Sequence, residues 1–139
     1  VNDIGVYKKV EKKFKKKKIL IINQINIKKK YFTKSDITVA AIPGIAGLHP
    51  TLEMIKKSKK VLIANKESVI CGWDLIKNIA SKNKTKIIPV DSEHFSIMKL
   101  LENENLENVK KVFLTASGGP FLNYKTSKLN NVKPNQALM

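Results

Sequence analysis

The sequence contains no arginine, a single cysteine and few acidic residues. All 27 basic residues of the 139-residue chain are lysines, against 11 acidic residues, so the formal net charge is +16. Such a charge is typical of proteins that bind nucleic acid or an anionic membrane. Proteins that read phosphates or bases generally use the bidentate fork of arginine, however, and lysine, asparagine and isoleucine are what AT-rich codons supply. We therefore expect no nucleic acid and no membrane as partners. The alternative is a lysine-rich module that binds nucleic acid or another polyanion.

The other scarcities concern disulfides and membrane segments. Cys71 is the only cysteine, so an internal disulfide is excluded and a reducing compartment is favoured. No apolar run approaches the ~20 residues that span a bilayer. No signal peptide is visible, and the sequence starts at Val1 without an initiator methionine. We expect an internal portion of a longer protein.

Apolar segments along the chain alternate between strand-like and helix-like patterns. Strands are predicted at 18–22, 37–42, 61–65, 86–90 and 111–115. Helices are predicted at 6–18, 51–60, 67–82 and 94–102. Short apolar strands that alternate with helices predict an α/β protein with a largely parallel sheet. Ligands of such folds bind at the carboxyl ends of the strands, and "PGIAGL", "ANKES", "DSEH" and "SGGP" each follow a predicted strand.

The first two of these segments each have two interpretations. In "PGIAGL", Gly44 and Gly47 allow either close approach to a cofactor or a plain strand-to-helix turn. The G-x-G-x-x-G phosphate motif is absent from the sequence. In "ANKES", Lys66 suits a substrate oxygen or phosphate. Glu67 is either a site residue or a first-turn acid that the helix dipole favours.

In "DSEH", two carboxylates are separated by one residue. If the backbone stays extended through Ser92, Asp91 and Glu93 point to the same side and can share a hard divalent cation, Mg²⁺ or Mn²⁺. The alternative is that Asp91 or Ser92 caps the next helix while Glu93 complements its dipole. His94 is expected to be a neighbour rather than a ligand.

The last segment, "LTASGGPF", combines hydroxyl side chains with two adjacent glycines. Thr115, Ser117, Gly118 and Gly119 offer hydroxyls and exposed amides that suit a phosphate group. A Gly-Pro turn explains the same residues equally well.

In their order along the chain, "GIAGLHPT", "LIANKESVICG", "IIPVDSEHFSI" and "FLTASGGPF" strongly resemble the 1-deoxy-D-xylulose 5-phosphate reductoisomerases. The resemblance spans 37–121. It implies that 1–89 form the later part of a partial Rossmann-like, NADPH-binding domain with a parallel sheet, and that 90–139 begin an α/β catalytic domain. It also implies NADPH and Mg²⁺ or Mn²⁺ as cofactors, a small phosphosugar substrate and a homodimer. A bacterial cytoplasm is the expected location, with a plastid-type organelle as the alternative.

The resemblance also implies a role for each matching residue. Asp91 and Glu93 match two of three metal-binding carboxylates and, with Lys66, are the expected catalytic residues. The substrate-binding residues are expected to be Lys66, Ser92, Glu93 and Ser117. The cofactor-binding residues are expected to be Pro43, Gly44, Asn65 and Glu67.

Three family features have no counterpart in the sequence. They are a G-x-T-G-S-x-G turn, a "SATMMNKG" segment and a third metal carboxylate, since no Asp or Glu follows Glu107. We therefore expect Asp91 and Glu93 to be two thirds of a metal site, and these residues alone to be inactive. A different metal-dependent α/β enzyme, such as an aldolase, would share the carboxylates but not the cofactor loops.

Overall fold

The computed structural model describes residues 1, 3–22, 34–115 and 118–138, which fall into two units, Val1–Lys99 and Leu100–Met139. The elements of the first unit are α1 (Ile4–Phe14), β1 (Ser35–Ala40), α2 (Leu48–Ile55), β2 (Ser58–Ile63), α3 (Lys66–Asn83), β3 (Lys86–Pro89) and all but the last residue of α4 (Ser92–Leu100), with a 3₁₀ turn at Ile45–Gly47. The second unit holds a 3₁₀ turn at Leu106–Asn108 and the short helices α5 (Thr126–Leu129) and α6 (Pro134–Ala137). Among the described residues, no helix has the length and apolar composition needed to cross a membrane.

The three strands form one parallel sheet in the order β1-β2-β3. Ala40 pairs with Ile63, and Ile63 pairs with Pro89, so the three carboxyl ends are level with one another. Parallel neighbours need a crossover connection, and α2 and α3 supply the two crossovers. The prediction of an α/β fold with a parallel sheet is confirmed.

The core lies between one face of the sheet and the two crossover helices. Val61 and Ile63 alternate with outward-facing residues on β2, so both point to this face, and Ile76 and Ala80 lie one turn apart on α3. Together with Ile55 of α2 they are almost fully buried. This contact fixes α3 against the sheet and so determines where its first turn lies.

The opposite face of the sheet is open in the described part of the chain. Ile37 and Val39 of β1 point to it and are 57% and 60% exposed. Parallel sheets usually have both faces covered. In the described part of the chain, α2 and α3 thus form a second layer on one side of the sheet.

Two predicted strands are wrong. Neither 18–22 nor 111–115 is a strand, and Val112, Phe113 and Leu114 are largely exposed. An apolar run favours a strand, but a strand also needs a neighbour for its backbone hydrogen bonds, and neither segment has one among the described residues. "SGGP" therefore does not follow a strand of the sheet.

Several element boundaries also differ from the predictions. Helix α2 begins at Leu48 rather than at 51, because the 3₁₀ turn before it leads directly into the helix. Helix α4 begins at Ser92 rather than at 94. The predicted boundary between two domains after Pro89 stays a prediction.

Candidate active site

Three of the predicted segments meet at the carboxyl edge of the sheet. The amide of Ala64 donates to the carbonyl of Ala40 at 3.0 Å, and the amide of Val90 donates to that of Ile63 at 3.0 Å. The strand ladder therefore continues past the strand ends. Residues that follow each strand are consequently held side by side.

A cleft of about 370 Å³ opens at this edge. Its lining residues come from all three connections: Ala41, Pro43, Ala64, Asn65, Lys66, Glu67, Asp91, Ser92 and Glu93. Most of the predicted site residues are thus in one place. Gly44 lies beside Pro43 but does not line the cleft, and Ser117 lies outside the described residues.

Asp91 both caps helix α4 and lines the cleft. Its Oδ1 accepts a hydrogen bond from the His94 backbone N–H at 3.1 Å and lies 2.6 Å from the His94 Nδ1. Partial burial raises the pKa of Asp91, but these hydrogen bonds outweigh burial and hold the pKa below its ordinary value. The backbone does not stay extended through Ser92, so that premise of the sequence analysis is wrong. Asp91 nevertheless caps α4 and lines the cleft at the same time.

Glu93 is the second carboxylate of the cleft. Its own backbone amide, the Ser92 hydroxyl that donates to its Oε2 at 2.9 Å, and the charge of Lys66 hold its pKa below the ordinary value. Burial and the charge of Asp91 act in the opposite direction. Both carboxylates are therefore anionic at neutral pH, with the cation of Lys66 close enough to stabilise Glu93.

The donor set of the cleft suits a hard divalent cation. Asp91 and Glu93 supply carboxylate oxygens, which Mg²⁺ and Mn²⁺ prefer. In the described part of the chain, no group of three or more His, Cys, Asp or Glu side chains is placed to hold a metal. A metal at this site would thus receive two carboxylates from these residues.

Asn65 connects two of the segments that line the cleft. Its Oδ1 accepts from the Ser68 N–H at 2.8 Å, which caps α3. Its Nδ2 donates to the Gly44 carbonyl at 2.9 Å and to the Ile42 carbonyl. An asparagine directly before the first residue of a helix is a recognisable N-cap signal, because its side-chain oxygen can accept the backbone N–H of the third helical residue. No feature of the sequence predicts the two hydrogen bonds from the Asn65 amide to the 42–44 segment.

An apolar cavity of about 340 Å³ lies on the other side of Asp91. It is lined by Ile63, Val69, Trp73, Ile87 and Pro89, with Asp91 and His94 at its polar end. Asp91 thus separates an apolar region from the polar cleft. No pattern in the sequence indicates this cavity, because its residues come from four different elements.

Two family models match the chain. Residues 1–72 match the model described as 1-deoxy-D-xylulose 5-phosphate reductoisomerase. Residues 87–139 match the model described as its C-terminal domain. The two matches lie on either side of the second half of α3 and together include every predicted site residue.

Curated relatives carry the same name. The chain is similar to the 1-deoxy-D-xylulose 5-phosphate reductoisomerase of Pelagibacter ubique, with 45% identity over 99% of this chain and 36% of the relative. It is 42% identical to that of Thermodesulfovibrio yellowstonii over 93% of this chain and 34% of the relative. The chain therefore spans about a third of the length of these curated relatives.

Solved structures give a consistent result. The chain resembles a Zymomonas mobilis reductoisomerase in complex with NADPH, with a TM-score of 0.55 and 39% identity over 75% of this chain and 27% of that one. It also resembles a DOX-P reductoisomerase in complex with NADPH, fosmidomycin and magnesium, with a TM-score of 0.58 and 28% identity over 99% of this chain and 37% of that one.

Proposed function

Because this chain belongs to the 1-deoxy-D-xylulose 5-phosphate reductoisomerase family, we propose that the polypeptide carrying it converts 1-deoxy-D-xylulose 5-phosphate to 2-C-methyl-D-erythritol 4-phosphate, with NADPH and Mg²⁺ or Mn²⁺. This is a step of non-mevalonate isoprenoid biosynthesis. The observation that carries the proposal is the cleft in which Lys66, Glu67, Asp91, Ser92 and Glu93 converge. The comparisons give no support to the polyanion-binding alternative.

Asp91 and Glu93 are the proposed metal-binding residues. Their depressed pKa values keep both carboxylates charged at neutral pH, which a cation site requires. When bound, the divalent ion supplies Lewis-acid polarisation of neighbouring substrate oxygens, and NADPH supplies the hydride. The contribution of His94 is to hold Asp91 in place through two hydrogen bonds.

Lys66 and Ser92 are the proposed substrate-binding residues beside that pair. Lys66 places an ammonium group in the same cleft as the carboxylates, where it can neutralise an oxygen anion or a phosphate. The Ser92 hydroxyl donates to Glu93, so it both orients that carboxylate and remains able to accept a bond from a substrate hydroxyl. Glu93 is therefore the proposed contact of both the metal and the substrate.

The remaining assignments follow the family pattern. We propose that Pro43, Gly44, Asn65 and Glu67 lie against NADPH, since three of them line the same cleft as Lys66. Ser117 is proposed to bind the substrate phosphate. A homodimer, a bacterial cytoplasmic location and a division into domains after Pro89 are proposed with them.

The test is oxidation of NADPH by the whole polypeptide that the gene encodes, followed by absorbance with the pentulose phosphate and Mg²⁺. Replacing the carboxylate by its amide in Glu93→Gln, and the ammonium in Lys66→Met, should each lower kcat/KM about a hundredfold or more. The matched controls are Glu104→Gln and Lys60→Met, at exposed positions that are not among the residues lining the cleft. Absence of substrate-dependent NADPH oxidation in the parent would contradict the proposal.

A further inference from the structure

We infer that Asn65 is a positioning residue, whose buried side-chain amide holds the 43–47 loop against the first turn of α3 in the geometry that binds the cofactor. The inference rests on the proposed function for the identity of that cofactor as NADPH. It adds a second role to the proposed place of Asn65 against NADPH, in which the side-chain amide acts on cofactor binding through the loop.

The side chain of Asn65 has almost no contact with solvent and is bonded on both sides. Only 3% of the residue is exposed. Its two N–H donors point to the carbonyls of Ile42 and Gly44, and its oxygen caps α3 at Ser68. An asparagine side chain has two N–H donors, so none is left for a ligand. What Asn65 can change is the position of the chain it is bonded to.

The end of the 43–47 loop is also held from α2, because the Thr51 hydroxyl donates to the Gly47 carbonyl at 2.7 Å. The Gly47 amide donates to the Gly44 carbonyl at 3.1 Å, which closes the turn on itself, but that bond does not attach the turn to the sheet. Gly44 has a φ of +68°, a conformation open mainly to glycine, and glycine loses more conformational freedom than other residues when it is held in one conformation, so the position needs support from outside the loop. The Asn65 amide supplies that support from a rigid helix end.

Gly47 shows that the loop is packed closely around the same amide. A Cβ added at Gly47 would lie closer than 3.0 Å both to the Asn65 Nδ2 and to the Ile42 carbonyl oxygen, a separation that real Cβ atoms essentially never show. The Asn65 amide therefore fits beside position 47 only because Gly47 has no side chain. The loop and Asn65 form one packed unit.

The test compares Asn65→Ser with Asn83→Ser in the whole polypeptide. Serine is an equally good helix cap, so Asn65→Ser keeps the cap of α3 and removes only the two bonds to the loop. Asn83 lies at the other end of α3, where its Nδ2 donates to the Ile79 carbonyl at 2.8 Å. Asn83→Ser thus removes a comparable amide-to-carbonyl bond away from the cleft.

Two readouts are measured on each variant. One is hydrogen exchange of the Gly47 amide without ligands, and the other is the KM for NADPH with kcat. Loss of two hydrogen bonds should speed exchange at Gly47 and raise the KM for NADPH each about tenfold, with kcat changed less. Asn83→Ser should leave both unchanged. Asn65→Asp, which keeps the size and the cap but loses both donors, should speed exchange to the same extent.

The possible results are distinguishable. A raised KM with unchanged exchange at Gly47 would mean that Asn65 affects the cofactor only through its own contact and not through the loop, and the inference would be wrong. Unchanged exchange in both Asn65 variants would likewise overturn it. If the parent lacks NADPH oxidation, the proposed function fails, whereas the exchange result still decides whether Asn65 positions the loop.

Discussion

Replacing Gly47 by alanine should destabilise the fold although the backbone there suits alanine. Gly47 has φ −75° and ψ −20°, which is ordinary right-handed helical geometry. On backbone grounds alone, Gly→Ala would stabilise by about 0.4–1 kcal/mol, because it restricts the unfolded chain. The added methyl group, however, would collide with a backbone carbonyl and with the buried Asn65 amide.

The size of the effect follows from which atoms can move. The Ile42 carbonyl lies just after β1, and Asn65 is bonded on both sides, so neither yields at low cost. Overpacking of this kind costs about 1–3 kcal/mol. Subtracting a backbone gain of about 0.7 kcal/mol from an overpacking cost of about 2 kcal/mol leaves a net loss of about 1.3 kcal/mol in the free energy of unfolding.

Urea denaturation measures this loss as a lower midpoint at an unchanged slope. The matched control is Asn78→Ala, at an exposed position inside α3, where alanine should raise the free energy of unfolding by about 0.5 kcal/mol. A Gly47→Ala protein as stable as its parent would refute the reasoning. That result would mean that the loop relaxes freely and that its contact with Asn65 is loose.

Three further predictions concern single side chains. Asp91→Asn keeps the cap of α4 but removes a charge, so Mg²⁺ affinity by calorimetry should fall about tenfold or more; the control Asp74→Asn, at an exposed position of α3, should not change it. Ser68→Ala should leave the urea midpoint unchanged or raise it, because the buried Ser68 hydroxyl has no partner in the described part of the chain; a clear loss of stability would reveal a partner. Thr85→Val should lower the free energy of unfolding by about 1–3 kcal/mol, because the single O–H of Thr85 is shared between two buried backbone carbonyls at 2.7 and 2.9 Å, which would lose their side-chain donor; an unchanged midpoint would contradict this.

The parallel sheet was predictable because its signal is local. Each strand is a short apolar run, and each pair is separated by enough chain for a helical crossover. Once the strands are parallel, the convergence of Lys66 with Asp91 and Glu93 follows from geometry. Most of the residues that line the cleft could thus be predicted from the sequence.

The errors arose where structure depends on a partner. The 111–115 segment has the composition of a strand, but composition does not provide a neighbouring strand to bond with. The hydrogen bonds from Asn65 to Ile42 and Gly44 join residues more than twenty positions apart, and no pattern in the sequence indicates them. Helix α4 begins at Ser92 because the Asp91 side chain accepts a hydrogen bond from the His94 backbone N–H. Such a local side-chain bond favours the helical start over the extended backbone that the sequence also allows.

The order of the strands also determines when the cleft can form during folding. Each strand pairs with a neighbour that lies beyond a whole helix in the chain, so both contacts are non-local and form slowly. Asp91 and Lys66 come together only after the second of these pairings is complete. A ligand that binds across the cleft will therefore select chains in which the entire sheet has assembled, and its binding energy will add to the stability of all three strands at once.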